Sequence, residues 1–328
     1  MAASAPPAGT AATGSFRRLA FSQEGILLIA IIALFLAVGF WNPRFLAENN
    51  LQSIFLGNAY IAVAAIGMSL VIISGNIDVS VGSLIGCMAT LSGTLAVSGW
   101  PILLSWVVPI LVSILLTGLM GWLVAYLRIP SIVVTLGMMS ILKGLLIIVT
   151  GGAWINNLPE GYALAQMRPL NVPMPVWFMV ILTAAAAFWM RYAATGRAIY
   201  AVGGNPEAAR LSGLSRERVI MTVFLIHGGF AGIAAILFAT QLSVIQSTVP
   251  PNLELTIITA SVVGGVSILG GTGTVIGSTL AAVLLAAIGS SLIFVNVSPY
   301  WLRAVQGVLI LVTVLADLAR RKRQAAGH

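Results

Sequence analysis

Few residues of this 328-residue chain are of a type that could carry out catalysis. It has two histidines, His227 and His328, and one cysteine, Cys87. A hydrolytic triad would have to combine His227 with Asp78, the only credible acid. A zincin-type metal site needs a second histidine at helical spacing, which is absent, and no G-x-x-x-x-G-K-[ST] phosphate loop is present. The sequence therefore predicts no enzyme, metal site or bound cofactor, and we expect His227 to bond to a neighbouring helix.

The composition instead indicates an integral membrane protein. Hydrophobic residues make up 59% of the chain and charged residues only 7%, with a mean hydropathy of +1.05, whereas soluble domains carry about 25% charge. Apolar runs such as 25–40 and 102–127 are long enough to cross a hydrocarbon core about 30 Å thick. Because these runs are continuous and do not alternate with polar residues, they predict helices and not a β-barrel.

Breaks at proline, glycine, asparagine and charge clusters divide the chain into apolar spans. We expect an all-α fold, a polytopic bundle of about ten transmembrane helices with both termini in the cytoplasm. The predicted spans are 25–41, 52–74, 80–98, 102–127, 131–150, 174–190, 219–241, 256–270, 274–294 and 299–316. The span at 256–270 is short for a crossing, and its glycines indicate a broken or tightly packed helix.

The other segments set the predicted domain organisation. Residues 1–18 are expected to form a disordered cytoplasmic tail, residues 19–318 a single transmembrane domain with an inner loop at 191–218, and residues 319–328 a basic cytoplasmic tail. Twelve of the 16 basic residues then share the side of the termini, as cytoplasmic segments do. The net charge of +8 therefore records orientation and does not indicate binding to nucleic acid. The twelve are Arg17, Arg18, Arg128, Arg191, Arg197, Arg210, Arg216, Arg218, Arg320, Arg321, Lys322 and Arg323.

The inner loop contains a strong signal for a short helix. Asn205 can cap its start, Pro206 suits the first turn, and Glu207 complements the positive helix end. Gly213 is a natural terminator. The residues between them favour helix: Ala208, Ala209, Arg210 and Leu211. A helix of about two turns is unstable alone in water, so we expect it to pack on a surface, either the lipid interface or a partner protein.

Three segments resemble motifs of one known family, and they occur along the chain in the family's order. Residues 204–214 are similar to G-N-x-x-A-A-x-x-x-G-[IL], residues 73–83 to T-G-G-I-D-L-S-V-G-S, and residues 264–277 to G-G-x-S-[IL]-x-G-G-x-G-[ST]-x-x-G. The second segment departs from its motif at Ser74, Asn76 and Val79. The family is that of the permease subunits of ribose-, xylose- and galactose-type ABC importers, which also includes autoinducer-2 permeases. The resemblance covers roughly residues 45 to 315.

The resemblance implies a multi-pass subunit of the bacterial inner membrane that works as a dimer with a second copy or a related permease. ATP would be hydrolysed on a separate ATP-binding subunit, so this chain would need no cofactor of its own. A periplasmic solute-binding protein would deliver the solute, a monosaccharide or a similar small polar molecule. The short helix, with Asn205, Arg210 and their neighbours, would sit in a cleft of the ATP-binding subunit and couple it to the bundle.

The first signature supplies candidates for a gate or pathway: Gly75, Asn76, Asp78, Ser80, Gly82 and Ser83. Asp78 is either a gate or substrate contact near the inner ends of the second and third spans, or, with Ser80, an N-cap of the third span. Gly75, Gly82 and Ser83 are typical of close packing or a broken helix.

Other polar and aromatic residues could contact a sugar-like cargo, although helix packing and the interfacial aromatic belt explain each of them as well. They are Asn58, Tyr60, Asn76, Trp154, Gln241, Gln246, Thr256 and Asn296. The alternative function is an ion- or proton-coupled secondary transporter. It would require an ionisable group deep in the bundle, for which only Lys143, His227 and Glu254 are candidates.

Overall fold

The computed structural model describes residues 22–326, without the side chains of 320, 321 and 323–326, so the predicted tail at 1–18 lies outside the described residues. Within this range the chain forms twelve α-helices. They are α1 Gln23–Trp41, α2 Glu48–Ile73, α3 Val81–Val97, α4 Ile102–Ala125, α5 Ser131–Thr150, α6 Met174–Tyr192, α7 Ala194–Gly204, α8 Pro206–Leu211, α9 Arg216–Ala239, α10 Leu253–Val263, α11 Val275–Phe294 and α12 Trp301–Ala326. Short 3₁₀ helices lie at Pro43–Leu46, Leu164–Gln166 and Pro169–Asn171.

A polytopic helical bundle is confirmed. Eight helices are long and apolar enough to span a membrane, and α3 and α10 are shorter apolar helices. Each predicted span overlaps one of these ten helices. The described residues contain no β-strand, only an isolated bridge between Ile155 and Ile245.

Three differences from the sequence prediction are the largest. The span predicted at 256–270 is wrong at its C-terminal end, because α10 stops at Val263 and the backbone then turns through Gly265, whose φ is +98°. The loop predicted at 191–218 is largely helical, since α7 precedes the expected short helix. The tail predicted at 319–328 begins as helix, because α12 continues to Ala326.

Helix α2 forms the centre of the bundle. From Ala59 to Ile73 every residue is buried, and the helix contacts α6, α9, α10 and α11. A helix that is apolar on all sides either is surrounded by other helices or faces lipid, and this part of α2 is surrounded by other helices. By contrast, α12 leaves most of its apolar surface exposed, including Val308, Leu311 and Leu315.

The bundle has two ends, which we name by position. The α8 end contains the end of α2, helices α7 and α8, and the loop at 264–274. A hydrogen bond of 2.8 Å from the Gly271 N–H to the Ile73 carbonyl joins this loop to α2. The opposite end contains the start of α2, the end of α11 and the start of α12. There the Ser290 hydroxyl donates to the Asn50 side-chain oxygen at 3.0 Å.

Candidate functional site

A cavity of about 500 Å³ opens at the opposite end, between α2, α10, α11 and α12. This volume lies within the range of about 300–1,000 Å³ that is usual for small-molecule sites. None of its lining residues is acidic or basic. Its polar lining residues are Asn50, Ser53, Asn58, Tyr60, Thr256, Ser290 and Gln306.

Hydrogen bonds within the protein hold two of the amide side chains that line the cavity. The Gln306 amide donates to the Thr256 hydroxyl at 3.2 Å, which ties α12 to α10. The Asn58 amide donates to the Ile54 carbonyl of its own helix at 2.9 Å. Each amide group also has a carbonyl oxygen that can accept from a hydroxyl. The arrangement therefore suits an uncharged solute that carries hydroxyl groups.

Three of the residues considered as cargo contacts come together in this cavity. They are Asn58, Tyr60 and Thr256, whereas the other candidates lie elsewhere. The Gln241 amide, for example, donates to the Leu56 carbonyl at 2.9 Å. The other candidates outside this cavity are Asn76, Trp154, Gln246 and Asn296.

The sequence did not identify four polar residues that line the cavity, Asn50, Ser53, Ser290 and Gln306. Asn50, Ile54 and Asn58 follow one another on α2 at spacings of four residues, so the helical period was the available signal for Asn50. Ser53 lies beside this row on the same helix. Ser290 and Gln306 come from two other helices, and only the tertiary fold brings them to the cavity.

Asp78 lies at the α8 end, in the short connection between α2 and α3. One carboxylate oxygen accepts from the Ser80 N–H at 2.7 Å and the Ser80 hydroxyl at 2.6 Å. The other lies 3.0 Å from Nε2 of His227 on α9. Both side chains are fully buried. Asp78 thus satisfies the N–H of Ser80, the residue before α3, and also pins that start to α9, whereas the Ser80 side chain makes no capping bond to α3. We expected His227 to bond to a neighbouring helix, but its partner, Asp78, lies in the connection between α2 and α3.

The buried histidine and a buried glutamate each have one side-chain atom without a hydrogen-bond partner among the described residues, Nδ1 of His227 and Oε2 of Glu254. Glycines make room for both. A Cβ at Gly67 would lie 2.8 Å from Nδ1 of His227, and a Cβ at Gly82 would lie 2.5 Å from Oε2 of Glu254. Gly82 therefore allows α3 to approach α10 closely, as the close-packing interpretation predicts.

The remaining gate candidates lie around the same connection. Gly75, with φ of +82°, ends α2 by donating its N–H to the Ile72 carbonyl, while the Asn76 N–H reaches the Val71 carbonyl. This pair of bonds is a Schellman motif, in which the left-handed residue is usually glycine. The Ser83 hydroxyl is buried on the first turn of α3 without a described partner. The geometry gives Gly75 a clear role in terminating the helix.

The three sequence motifs meet at one point, which we call the glycine junction: Ile73, Gly203, Gly204, Gly270 and Gly271. A Cβ at Gly203 would collide with the Ile73 carbonyl oxygen, and a Cβ at Gly271 with the backbone of Gly204. The backbones of α7, α2 and the 264–274 loop are therefore in direct contact. The Tyr200 hydroxyl adds a bond from α7 to the Gly273 carbonyl at 2.9 Å.

Helix α8 projects from the junction. The Asn205 side chain caps it by accepting from the Ala208 N–H at 3.0 Å, as predicted. Glu207 and Arg210 form an ion pair at 2.6 Å, with both side chains about two-thirds exposed at 68% and 69%. The hydrogen bond to Glu207 raises the pKa of Arg210. Leu211 is 77% exposed, so the tip presents a charged pair beside an apolar side chain.

A bundle of membrane-spanning helices with a neutral polar cavity at one end and a projecting capped helix at the other defines the class of a membrane permease. A family model described as "Branched-chain amino acid transport system / permease component" matches residues 50–314. The chain belongs to this permease family and is a multi-pass protein of the inner membrane.

The chain is also similar to individual proteins. It is 34% identical over 302 residues to the autoinducer 2 import system permease protein LsrC of Salmonella typhi, covering 90% of this chain and 86% of the relative. It is equally similar to LsrC of Escherichia coli (strain K12 / DH10B), covering 90% and 87%. No solved structure matches the chain. The resemblance to sugar-type ABC importer permeases is confirmed.

Proposed function

We propose that this chain is the permease subunit of an ABC importer for a small, uncharged, hydroxyl-rich solute such as a monosaccharide. The observation that carries the proposal is the neutral polar cavity at the opposite end. The solute would reach it from a periplasmic solute-binding protein. Because the relatives are named for autoinducer 2 import, autoinducer 2 is the first solute to test beside the sugars.

The same observation weighs against an ion-coupled secondary transporter. Such a transporter needs ionisable groups along the path of the ion. None of Lys143, His227 and Glu254 lines the cavity. His227 instead bonds to Asp78.

The structure supports a mechanical route from ATP hydrolysis to the cavity. Helix α8 would dock in the ATP-binding subunit through Leu211 and the Glu207–Arg210 pair. Its movement would reach α7, and the glycine junction would pass it to the end of α2 and to the loop before α11. Both α2 and α11 line the cavity. A shift at the junction would therefore open or close the cavity by alternating access.

The proposal includes the assembly. Residues 19–318 would form a single transmembrane domain with both termini and the coupling segment at 191–218 in the cytoplasm. A second permease, identical or related, would pair with it in the bilayer. ATP would be used on the partner subunit, and neither a cofactor of this chain nor nucleic acid would be involved.

Uptake in proteoliposomes tests the proposal. The chain copurified with its ATP-hydrolysing subunit and supplied with the solute-binding protein should accumulate labelled sugar or autoinducer 2 only when ATP is present. The chain alone should not. Uptake by the chain alone, or uptake that is abolished by a protonophore and indifferent to ATP, would contradict the proposal and support a secondary transporter.

A further inference from the structure

A separate cavity of about 560 Å³ lies at the α8 end, on the outside of the bundle between α6, α7 and α11. Its walls are formed by the last turn of α6, the start of α11 and the side of α7. Phe188 and Tyr192 on its rim are 66% and 57% exposed. Because these residues lie on the outer surface of a membrane-spanning helix, the cavity is open to lipid.

Two arginines give this cavity a positive charge. Arg191 and Arg197 line it, and neither has a carboxylate within salt-bridge distance among the described residues. The Arg191 guanidinium lies 5.5 Å from the centre of the Tyr192 ring, and the Arg197 guanidinium donates to the Tyr192 carbonyl at 2.7 Å. Both groups are thus positioned without being neutralised.

One carboxylate also lines the cavity, that of Glu24. It accepts a hydrogen bond from the Thr274 hydroxyl at 2.7 Å, so it is partly satisfied by the protein. With two cations and one anion, the cavity has a net charge of +1. An anion can therefore bind there with favourable electrostatics.

The remaining lining is apolar and continues towards the membrane core. Ala187, Phe188 and Ile276 lie on the lipid-facing side of α6 and α11. An apolar surface below two arginines at the level of the helix ends matches an amphiphile with a negative headgroup. A free inorganic anion would use the arginines but leave this surface unfilled.

We propose that this cavity binds an acidic phospholipid, with its phosphate on Arg191 and Arg197 and its acyl chains along Phe188 and Ile276. The site is close to the glycine junction, because Tyr200 lines the cavity and bonds to Gly273. A bound lipid would therefore stabilise the contact of α7 with the 264–274 loop. This proposal does not depend on the identity of the transported solute.

Native mass spectrometry of the full chain tests the site. The protein is mixed with phosphatidylglycerol or phosphatidylcholine, and the retained lipid is counted. The double variant Arg191→Gln/Arg197→Gln should bind phosphatidylglycerol about 30-fold more weakly than the wild type, because each arginine at an anionic surface contributes about 1 kcal/mol. Phosphatidylcholine binding should not change.

A matched control removes two arginines from the opposite end, Arg44 and Arg303. The variant Arg44→Gln/Arg303→Gln has the same net charge and leaves the cavity intact, so its phosphatidylglycerol binding should stay at the wild-type level. Equal losses in both double variants would overturn the site, since total charge would then account for the effect. Unchanged binding in Arg191→Gln/Arg197→Gln would overturn it as well.

Two further measurements distinguish a lipid site from a soluble-anion site and from a folding defect. Inorganic phosphate at millimolar concentration should not displace phosphatidylglycerol; displacement would mean a soluble-anion site and contradict the proposal. If the glutamine variant fails to fold, as judged by size-exclusion chromatography, Arg191→Lys/Arg197→Lys replaces it. That variant keeps the charge but loses the planar fork of donors, so it should bind phosphatidylglycerol more weakly than the wild type while phosphatidylcholine binding stays the same. Wild-type affinity for phosphatidylglycerol in this variant would contradict the proposal.

Discussion

The two ends of the bundle are built in different ways. At the opposite end, side chains from four helices surround an open volume of about 500 Å³. At the α8 end, glycines bring three backbone segments into contact, and a Cβ at Gly203 has no room. A surface made of side chains can be adjusted to a solute one residue at a time. A junction made of backbone moves as a unit and tolerates almost no change in shape.

The largest effect is expected where a side chain is forced into the glycine junction. Gly203→Ala places a methyl group against the Ile73 carbonyl oxygen, which belongs to the backbone and cannot rotate away. Overpacking of this kind costs about 3 kcal/mol. The melting temperature of the detergent-solubilised variant, followed by size-exclusion chromatography with fluorescence detection, should fall clearly.

The neighbouring glycine provides the control. At Gly204 the nearest atom to an added Cβ is 3.7 Å away, an ordinary contact. Gly204→Ala lies on the same helix and makes the same chemical change, so it should melt close to the wild type. If the two variants melt alike, the junction is more plastic than the contact geometry implies, and the contrast between the ends is lost.

The next largest effect concerns the fully buried pair of Asp78 and His227 at the α8 end. Asp78→Ala leaves the Ser80 N–H and His227 without their buried partner. Losing the partner of buried polar groups costs about 2 to 3 kcal/mol. The variant should therefore melt well below the wild type.

Asp78→Asn serves as the comparison because it keeps an oxygen that can accept from Ser80, and it should lose less stability than Asp78→Ala. A result in which asparagine is as damaging as alanine would show that the negative charge matters more than the capping bond. Asp78 would then act chiefly on His227.

The helices of both ends could be predicted from the sequence, because apolar runs and helix caps are local signals. The cap at Asn205 and the stop at Gly213 were predicted and are present. The predicted end of the eighth span was wrong since the apolar run continues to Leu269, and only the backbone turn at Gly264 and Gly265 ends the helix.

The contacts between these elements could not be predicted in the same way. Asp78 and His227 are 149 residues apart, and composition does not identify such a pair. Helix α7 was missed because a pair of glycines such as Gly203 and Gly204 is typical of a loop. In the structure both glycines belong to the helix, and they let it contact another backbone segment. The motifs marked which segments matter, and the fold shows that they touch each other.

A moderate effect is expected at the opposite end, and on transport more than on stability. Gln306→Leu removes one amide from the cavity while keeping a similar side-chain size. If one hydrogen bond to the solute is lost, at about 1 to 1.5 kcal/mol, the KM for uptake should rise about tenfold. The melting temperature should change little, since only the bond to Thr256 is lost within the protein.

Gln52→Leu is the matched control, because Gln52 is next to Ser53 on α2 but does not line the cavity, and its side chain bonds instead to Glu48 and Arg168. Its KM should equal that of the wild type. A rise in KM for both variants would indicate a general effect of added apolar surface at this end, and the cavity would lose its assignment as the solute site.

The smallest effect on folding is expected at the tip of α8, where transport should nevertheless suffer. Glu207 and Arg210 are solvated, and exposed ion pairs add little to stability. Arg210→Ala should therefore melt like the wild type but reduce solute-stimulated ATP hydrolysis by the assembled transporter, because the arginine would contact the ATP-binding subunit.

If Arg210→Ala instead lowers the melting temperature and the hydrolysis together, α8 supports the bundle itself. Transport loss could then not be assigned to docking, and α8 would belong to the rigid junction and not to the surface that projects from it.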